Sequence, residues 1–317
     1  MKLNNHERPS HYVDVRFARW FTCERRCAWH RSTVPADQEW WRTDEQASLS
    51  ERISMAAPAL VMLTHGSTDP KVGEVSHHLR YGLQTIRPTL EVNAAFIDHC
   101  PPSVPQVVSH LVGRGITEIV FVPLQLAAVT DHDPSVDLVV KTTRQAHPSI
   151  QFAIARPVGP EACLLRPLDE RLRSALGSLH ATEIDGLVLS AEGPCDVRGL
   201  GMLARRARQW GAHHKLPCQL AMGDGSSPNV ATAIESLNSQ GRRHVAVGSF
   251  FLAPDLGFDA QARLALKHGA IAVSSPIGVD DTVLDLILAR YAFAAMDLLG
   301  EDPPVEIDAQ SQVSQVG

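Results

Sequence analysis

Two stretches of this chain, "ALVMLTHG" (59–66) and "GLVLSAEG" (186–193), share one design: an apolar run, a titratable residue, then glycine. The segments after them also repeat in order. "PQVVSHLVGRGITEIVFVPLQLAAVTD" (105–131) is matched by "ATAIESLNSQGRRHVAVGSFFLAPD" (231–255), and "IARPVGPEACLLRPLDERL" (154–172) by "VSSPIGVDDTVLDLILARY" (273–291). The spacings agree: Gly66 to Gly115 is 49 residues and Gly193 to Gly241 is 48, while Gly66 to Pro123 is 57 and Gly193 to Ser249 is 56. An ordered self-match of this kind means a duplicated structural unit. Any fold for this chain must therefore be built twice.

Within each copy, short apolar runs alternate with segments of helical spacing. In the first copy the runs 59–66, 90–98, 117–127 and 150–159 read as strands, and 71–88, 102–115, 134–146 and 161–176 as helices. The second helix starts through Ser103 and Pro105, a polar cap followed by proline in the first turn. Strands alternating with helices make a parallel sheet covered on both faces, and continuous apolar strands are what such a sheet requires. The expected fold class is α/β, two tandem domains of parallel sheet flanked by helices. The expected boundaries are 55–180 for the first lobe and 181–300 for the second.

The flanks differ from this core. Residues 1–54 hold four of the five tryptophans (Trp20, Trp29, Trp40, Trp41) and many arginines without a clear period. They read as a poorly ordered extension, or as untranslated if synthesis starts at Met55. Cys23, Cys27 and His30 lack the fourth ligand of a closed zinc site. Residues 301–317 read as a disordered tail.

Composition narrows the function. With 317 residues, 44% apolar and 20% charged, the chain is globular and long enough for two ordinary domains. A net charge of −6 gives no electrostatic footprint for nucleic acid. No apolar run reaches the ~18 residues that span a bilayer, and no apolar leader precedes the first strand. Six scattered cysteines show no disulfide framework, so the expected location is the cytoplasm.

In an open parallel sheet, ligands bind beyond the carboxyl ends of the strands. In the first copy those ends carry His65, then Asp98 with His99, then the cluster "TDHDPSVD" (130–137) around His132, then Arg156. Imidazoles converging with nearby carboxylates suit a borderline divalent metal such as Co²⁺, Ni²⁺, Fe²⁺ or Zn²⁺. The carboxylates can also accept protons. In the second copy Glu192 stands where His65 stood, and "APDLGFD" (253–259) has no histidine. "GDGSSPN" (223–229) is read as the second copy's counterpart of "DHCPPS", not as a phosphate loop.

The ordered set "THGSTDP", "AAFIDHCPPSVPQVV", "IVFVPLQLA…H" and "RPVGP" resembles the class II tetrapyrrole chelatases, and most of all the long, two-domain sirohydrochlorin chelatases of cobalamin and siroheme synthesis. The resemblance is strong over 58–175 and weak over 185–298. It implies ATP-independent insertion of a divalent metal, Co²⁺ or Fe²⁺, into sirohydrochlorin or a related tetrapyrrole in a cleft between two lobes. It implies that His65 and His132 hold the incoming metal, that Asp98 is the acid after the second strand, and that the metal is a substrate with no permanently bound cofactor. The approach to His132, "AAVTDHD", lacks the family's glycine, and the following acid stands at Asp133 or Asp137.

Two further site residues are expected on chemical grounds. Glu192 could face His65 across the cleft as a proton acceptor. Arg156, with Lys141, Arg144 and Arg80 behind it, could pair with substrate carboxylates. Two covalently joined lobes are compatible with a monomer. The competing reading is a non-catalytic metal or tetrapyrrole carrier that keeps the fold.

Overall fold

A computed structural model describes residues 57–129, 133–180, 183–193, 196–224 and 227–299. The expected N-terminal extension, the expected tail and His132 lie outside the described residues.

The first copy runs β1 (Ala59–Thr64), α1 (Pro70–Ile86), β2 (Val92–Phe96), α2 (Val104–Gly113), β3 (Glu118–Pro123), α3 (Pro134–Ala146), β4 (Gln151–Ile154), a short 3-10 turn (Ala162–Leu164) and α4 (Leu165–Ser178). The second runs β5 (Gly186–Ala191), α5 (Val197–His214), β6 (Cys218–Met222), α6 (Val230–Ser239), β7 (Val245–Phe250), α7 (Leu256–Lys267), β8 (Ala272–Val273) and α8 (Asp281–Leu299). The strands form two parallel sheets of the same order, β2-β1-β3-β4 and β6-β5-β7-β8. Leu60 lies opposite Val92 and Val120, and Leu187 lies opposite Cys218 and Ala246. The duplication read from the sequence is thus a duplication of sheet topology.

Alternate side chains along each strand point to opposite faces. Ala59, Val61 and Leu63 face α2 and α3, where Val104, Val108, Leu111, Val136 and Val140 are buried against them. Val188, Val245 and Val247 face α6 in the same way. The remaining strand faces, with Leu60, Met62, Val120 and Val122 from one sheet and Leu187, Leu189, Ala246 and Phe250 from the other, share one continuous core with α1, α4, α5 and α8.

Five of the helix starts follow one rule. Directly beyond the strands, Asp69, Asp133, Asp196, Asn229 and Asp255 turn a side-chain oxygen to a backbone N–H of the next helix. Such caps satisfy donors that the first helical turn leaves open. Met222 N donates to the Pro228 carbonyl at 3.0 Å, as Phe96 N does to that of Pro102 at 3.0 Å, so the two copies match at this step.

One expectation is corrected. The helix at 161–176 reads as the closing helix of the first lobe, yet α4 packs on β7 and β8 of the second sheet. In exchange, α8 packs on β3 and β4 of the first. Leu168 of α4 meets the Trp210 side of Gly248. Asp169 accepts hydrogen bonds from His214 Nε2 at 2.7 Å, Trp210 Nε1 at 3.3 Å and Arg173 at 2.6 Å. Burial pushes the Asp169 carboxyl up, but these donors and charges outweigh it and hold it below its ordinary value. On α8, the Tyr291 hydroxyl donates to the Pro58 carbonyl at 2.7 Å, and Arg290 donates to the carbonyls of Pro157 and Val158 and to Glu161. Amphipathic spacing fixes that a helix has a buried face. It does not fix which sheet that face finds.

Candidate metal and tetrapyrrole cleft

The carboxyl ends of β1, β3, β5 and β7 open on one cavity of about 270 Å³. His65, Gly66, Val72, Gln125 and Asp133 line it from the first copy, and Glu192, Gly193, Leu252 and Asp255 from the second.

His65 follows β1 and is partly exposed. Its Nδ1 lies 3.1 Å from Asp98 Oδ2, and Gly66 N donates to Asp98 Oδ1 at 2.7 Å. One carboxylate beyond β2 therefore holds both the ring and the backbone beside it. In the tautomer with Nδ1–H donating to Asp98, Nε2 keeps its lone pair for a ligand. The glycine is required by contact. A Cβ on Gly66 would overlap the Asp98 carbonyl oxygen, and one on Gly193 would overlap the Asp224 side chain in the second copy. The shared glycine of the two motifs thus lets the β1 and β5 loops lie directly on the loops that follow β2 and β6.

His65 Nε2 lies 3.9 Å from Asp133 Oδ1 and 3.5 Å from Ser135 Oγ. Asp133 also caps α3 through Ser135 N at 2.8 Å and accepts from the Ser135 hydroxyl. Burial pushes its carboxyl up, but the two Ser135 hydrogen bonds and the neighbouring His65 outweigh it and hold it below its ordinary value. Asp133 is the acid adjacent to His132, so the described part of this loop puts a carboxylate at His65. His132 itself falls outside the described residues. Among the described residues, no group of three or more His, Cys, Asp and Glu side chains is placed to hold a metal.

Glu192 takes the place of His65 at the end of β5. Its Oε1 accepts from Leu126 N at 2.7 Å, across the boundary between the copies. Burial pushes its carboxyl up to about 7; the amides of Leu126, Ala127 and Leu252 pull it down, while Asp255 pushes it further up. Burial likewise raises the Asp255 carboxyl. The cavity therefore holds an imidazole on one wall and a carboxyl that titrates near neutrality on the other. Reading the sequence named Asp133 as one candidate for the acid after His132, but missed Ser135 and Asp255, whose only signal was the helix-cap pattern.

The basic candidates are placed differently. Arg156 is exposed just past the edge strand β4 and does not line the cavity. Arg144 donates to the Phe152 carbonyl at 2.9 Å, a structural contact.

This defines a class: a duplicated parallel α/β chain whose ligand cleft is walled by both copies and whose metal-type residues sit on the first. Residues 59–175 match the model of the CbiX family, in line with the resemblance to the sirohydrochlorin chelatases read over them; the second copy lies outside the match. No curated protein matches the sequence. Among solved structures, the fold is similar to SirB from Bacillus subtilis with Fe³⁺ (TM-score 0.62, 18% identity, 77% of this chain and 98% of that one). It is also similar to the sirohydrochlorin chelatase SirB from Bacillus subtilis subspecies spizizenii in complex with cobalt (TM-score 0.62, 17% identity, 77% and 98%). DR2241 from Deinococcus radiodurans, a multi-domain protein with structural similarity to chelatases, matches at TM-score 0.52 and 15% identity over 75% of this chain and 55% of that one. At these identities the likeness is one of fold. No helix among the described residues is long and apolar enough to cross a membrane.

Proposed function

We propose that this chain inserts Co²⁺ or Fe²⁺ into sirohydrochlorin or a related tetrapyrrole without ATP. The observation that carries the proposal is the pairing across one cavity of His65, oriented by Asp98, with Glu192, whose carboxyl burial brings to about 7. The CbiX match over the first copy supports it, as does the fold shared with SirB, known with Fe³⁺ and with cobalt.

Insertion needs a ligand that takes the metal in and lets it go, and acceptors for the two pyrrolic protons that the ring loses. His65 Nε2 is the ligand. A single neutral imidazole binds borderline divalent ions without holding them as a closed site would. His132, which follows the third strand in the sequence, is the proposed second ligand. Glu192 and Asp133 are the proton acceptors. A carboxyl near pH 7 takes up and returns protons efficiently at neutral pH. Arg156, exposed beyond β4, is proposed to meet a peripheral carboxylate of the substrate. The chain works as a monomer, since both walls of the cleft come from one polypeptide. Among the described residues Cys100, Cys163 and Cys218 are free thiols, which suits a reducing cytoplasm.

The test is direct. The purified protein is mixed anaerobically with sirohydrochlorin and Co²⁺ or Fe²⁺, and the absorption change is followed. Acceleration over the spontaneous rate is expected, with a loss of at least about 100-fold in His65→Ala, as for removal of a group that binds a reactant in the transition state. No acceleration by the parent sinks the enzyme and leaves a carrier. A fully active His65→Ala sinks the site.

A further inference from the structure

The helices that follow β1 and β5 begin alike. Asp69 caps α1 and Asp196 caps α5, and the second residue of each helix is a cation, Lys71 in the first copy and Arg198 in the second. Each stands five residues beyond the glycine of its motif, Gly66 or Gly193. Both are exposed, and among the described residues neither side chain forms a hydrogen bond or an ion pair.

This position disfavours them. The start of a helix is the positive end of its dipole, where anions stabilise and cations do not. The helices α3, α7 and α8 obey this with Asp137, Asp259 and Asp281 in their first turns, whereas α1 and α5 have no acid there. Arg166, in the first turn of α4, is neutralised by Glu170 and Asp280, each at 3.2 Å. Lys71 and Arg198 are not. A local rule broken at the same step in both copies, although the copies differ at His65 and Glu192, points to a use for the charge.

Both cations stand beside the cavity. Val72, next to Lys71, lines it, and so does Val75, one helical turn on. Gly199, next to Arg198, lies so close to Ala127 that a Cβ would overlap the Ala127 carbonyl oxygen, and Ala127 lines the cavity. Asp196 holds that contact. One of its oxygens accepts from Gly199 N, and the other accepts from Val129 N of the first copy at 3.1 Å. The cavity itself is acidic, with Asp133, Glu192 and Asp255 on its walls. Such walls repel the carboxylates of a ligand, and cations at the rim draw them in.

We infer that Lys71 and Arg198 form a paired anchor, one cation from each copy, for the peripheral carboxylates of a polycarboxylated tetrapyrrole held over the cavity. The inference deepens the function proposed above and rests on it.

Charge reversal separates anchoring from structure. Lys71→Glu, Arg198→Glu and the double variant are compared with the parent in four measurements. These are melting temperature, Co²⁺ affinity without tetrapyrrole, affinity for metal-free sirohydrochlorin by absorption titration, and KM and kcat of insertion. Acids suit the first helical turn, so the variants are expected to melt no lower than the parent. An exposed ion pair is worth up to about fivefold in affinity, so the double variant is expected to bind sirohydrochlorin at least about tenfold more weakly. KM should rise with kcat unchanged, as for loss of uniform binding, and Co²⁺ affinity should not fall. Added salt is expected to weaken sirohydrochlorin binding by the parent but not by the double variant. If the double variant does not fold, the pair Lys71→Gln and Arg198→Gln decides, with an expected loss of about fivefold. Parent-like sirohydrochlorin affinity overturns the anchor and leaves the metal site standing. A Co²⁺ affinity that falls in step with that for sirohydrochlorin marks a disturbed cavity and overturns the anchor as well. A parent that binds no sirohydrochlorin overturns the proposed function, and the anchor with it.

Discussion

Asp98 holds two adjacent groups at once: Oδ2 lies 3.1 Å from His65 Nδ1 and Oδ1 accepts from Gly66 N at 2.7 Å. The imidazole and the backbone that carries it are therefore fixed by a single carboxylate from the neighbouring strand. Asp98→Ala is expected to weaken metal binding and slow insertion by about 10- to 100-fold, the usual effect of losing a ligand's orienting partner. The fold should survive, because Asp98 is partly exposed. Steady-state insertion and Co²⁺ calorimetry check this, and a parent-like Asp98→Ala would show that His65 needs no orienting.

Glu192 should make both stability and activity depend on pH. Its folded pKa, about 7, lies above the ordinary 4.5, so the folded chain binds this proton more tightly than the unfolded chain does. The resulting stabilisation is full below the unfolded value and is lost as pH rises through the folded one. Glu192→Gln, which keeps an acceptor for Leu126 N, is expected to flatten the fall in stability between about pH 4.5 and 7. Urea midpoints across that range measure it. As a proton acceptor, ionised Glu192 should also give insertion an acid limb with a midpoint near 7. The Gln variant is expected to lose that limb and slow at least about 100-fold, the low end for a general base.

A chain stopped at residue 180 should not fold. It would keep β1–β4 but lack α8, leaving the places of the buried Val283, Leu284 and Ile287 on the first sheet open. It would also expose the apolar face of α4, whose partners β7 and β8 are gone. Burial of each large aliphatic side chain contributes about 1.5–3 kcal/mol, so three such losses are comparable to the ~5–15 kcal/mol stability of a whole domain. A cooperative thermal transition in the truncated chain would show that the first copy is independent of α8.

Much of this architecture was legible in the residues. The matched spacings pointed to two copies of one sheet, because a buried parallel strand must be short and apolar and a helix must return the chain. The rule that ligands gather at strand ends pointed to His65, Asp98 and Glu192; His65 and Glu192 line the cavity, and Asp98 lies beside His65 without lining it. The exchange of α4 and α8 was not legible, since Leu168 and Leu172 would suit either sheet equally. Nor was the double duty of Asp196. In sequence it is a helix cap like Asp69, and its second partner, Val129, is a backbone amide far away along the chain. Arg144 looked like a charge available to substrate until its guanidinium met the Phe152 carbonyl.

The exchanged helices also order events during synthesis. The first sheet is made before the second, yet its cover, α8, is the last of the described elements to leave the ribosome. At about 5–20 residues per second, β3 and β4 wait on the order of ten seconds for it, with one apolar face unfinished. The copy that carries His65 is therefore completed only after the second copy has been made.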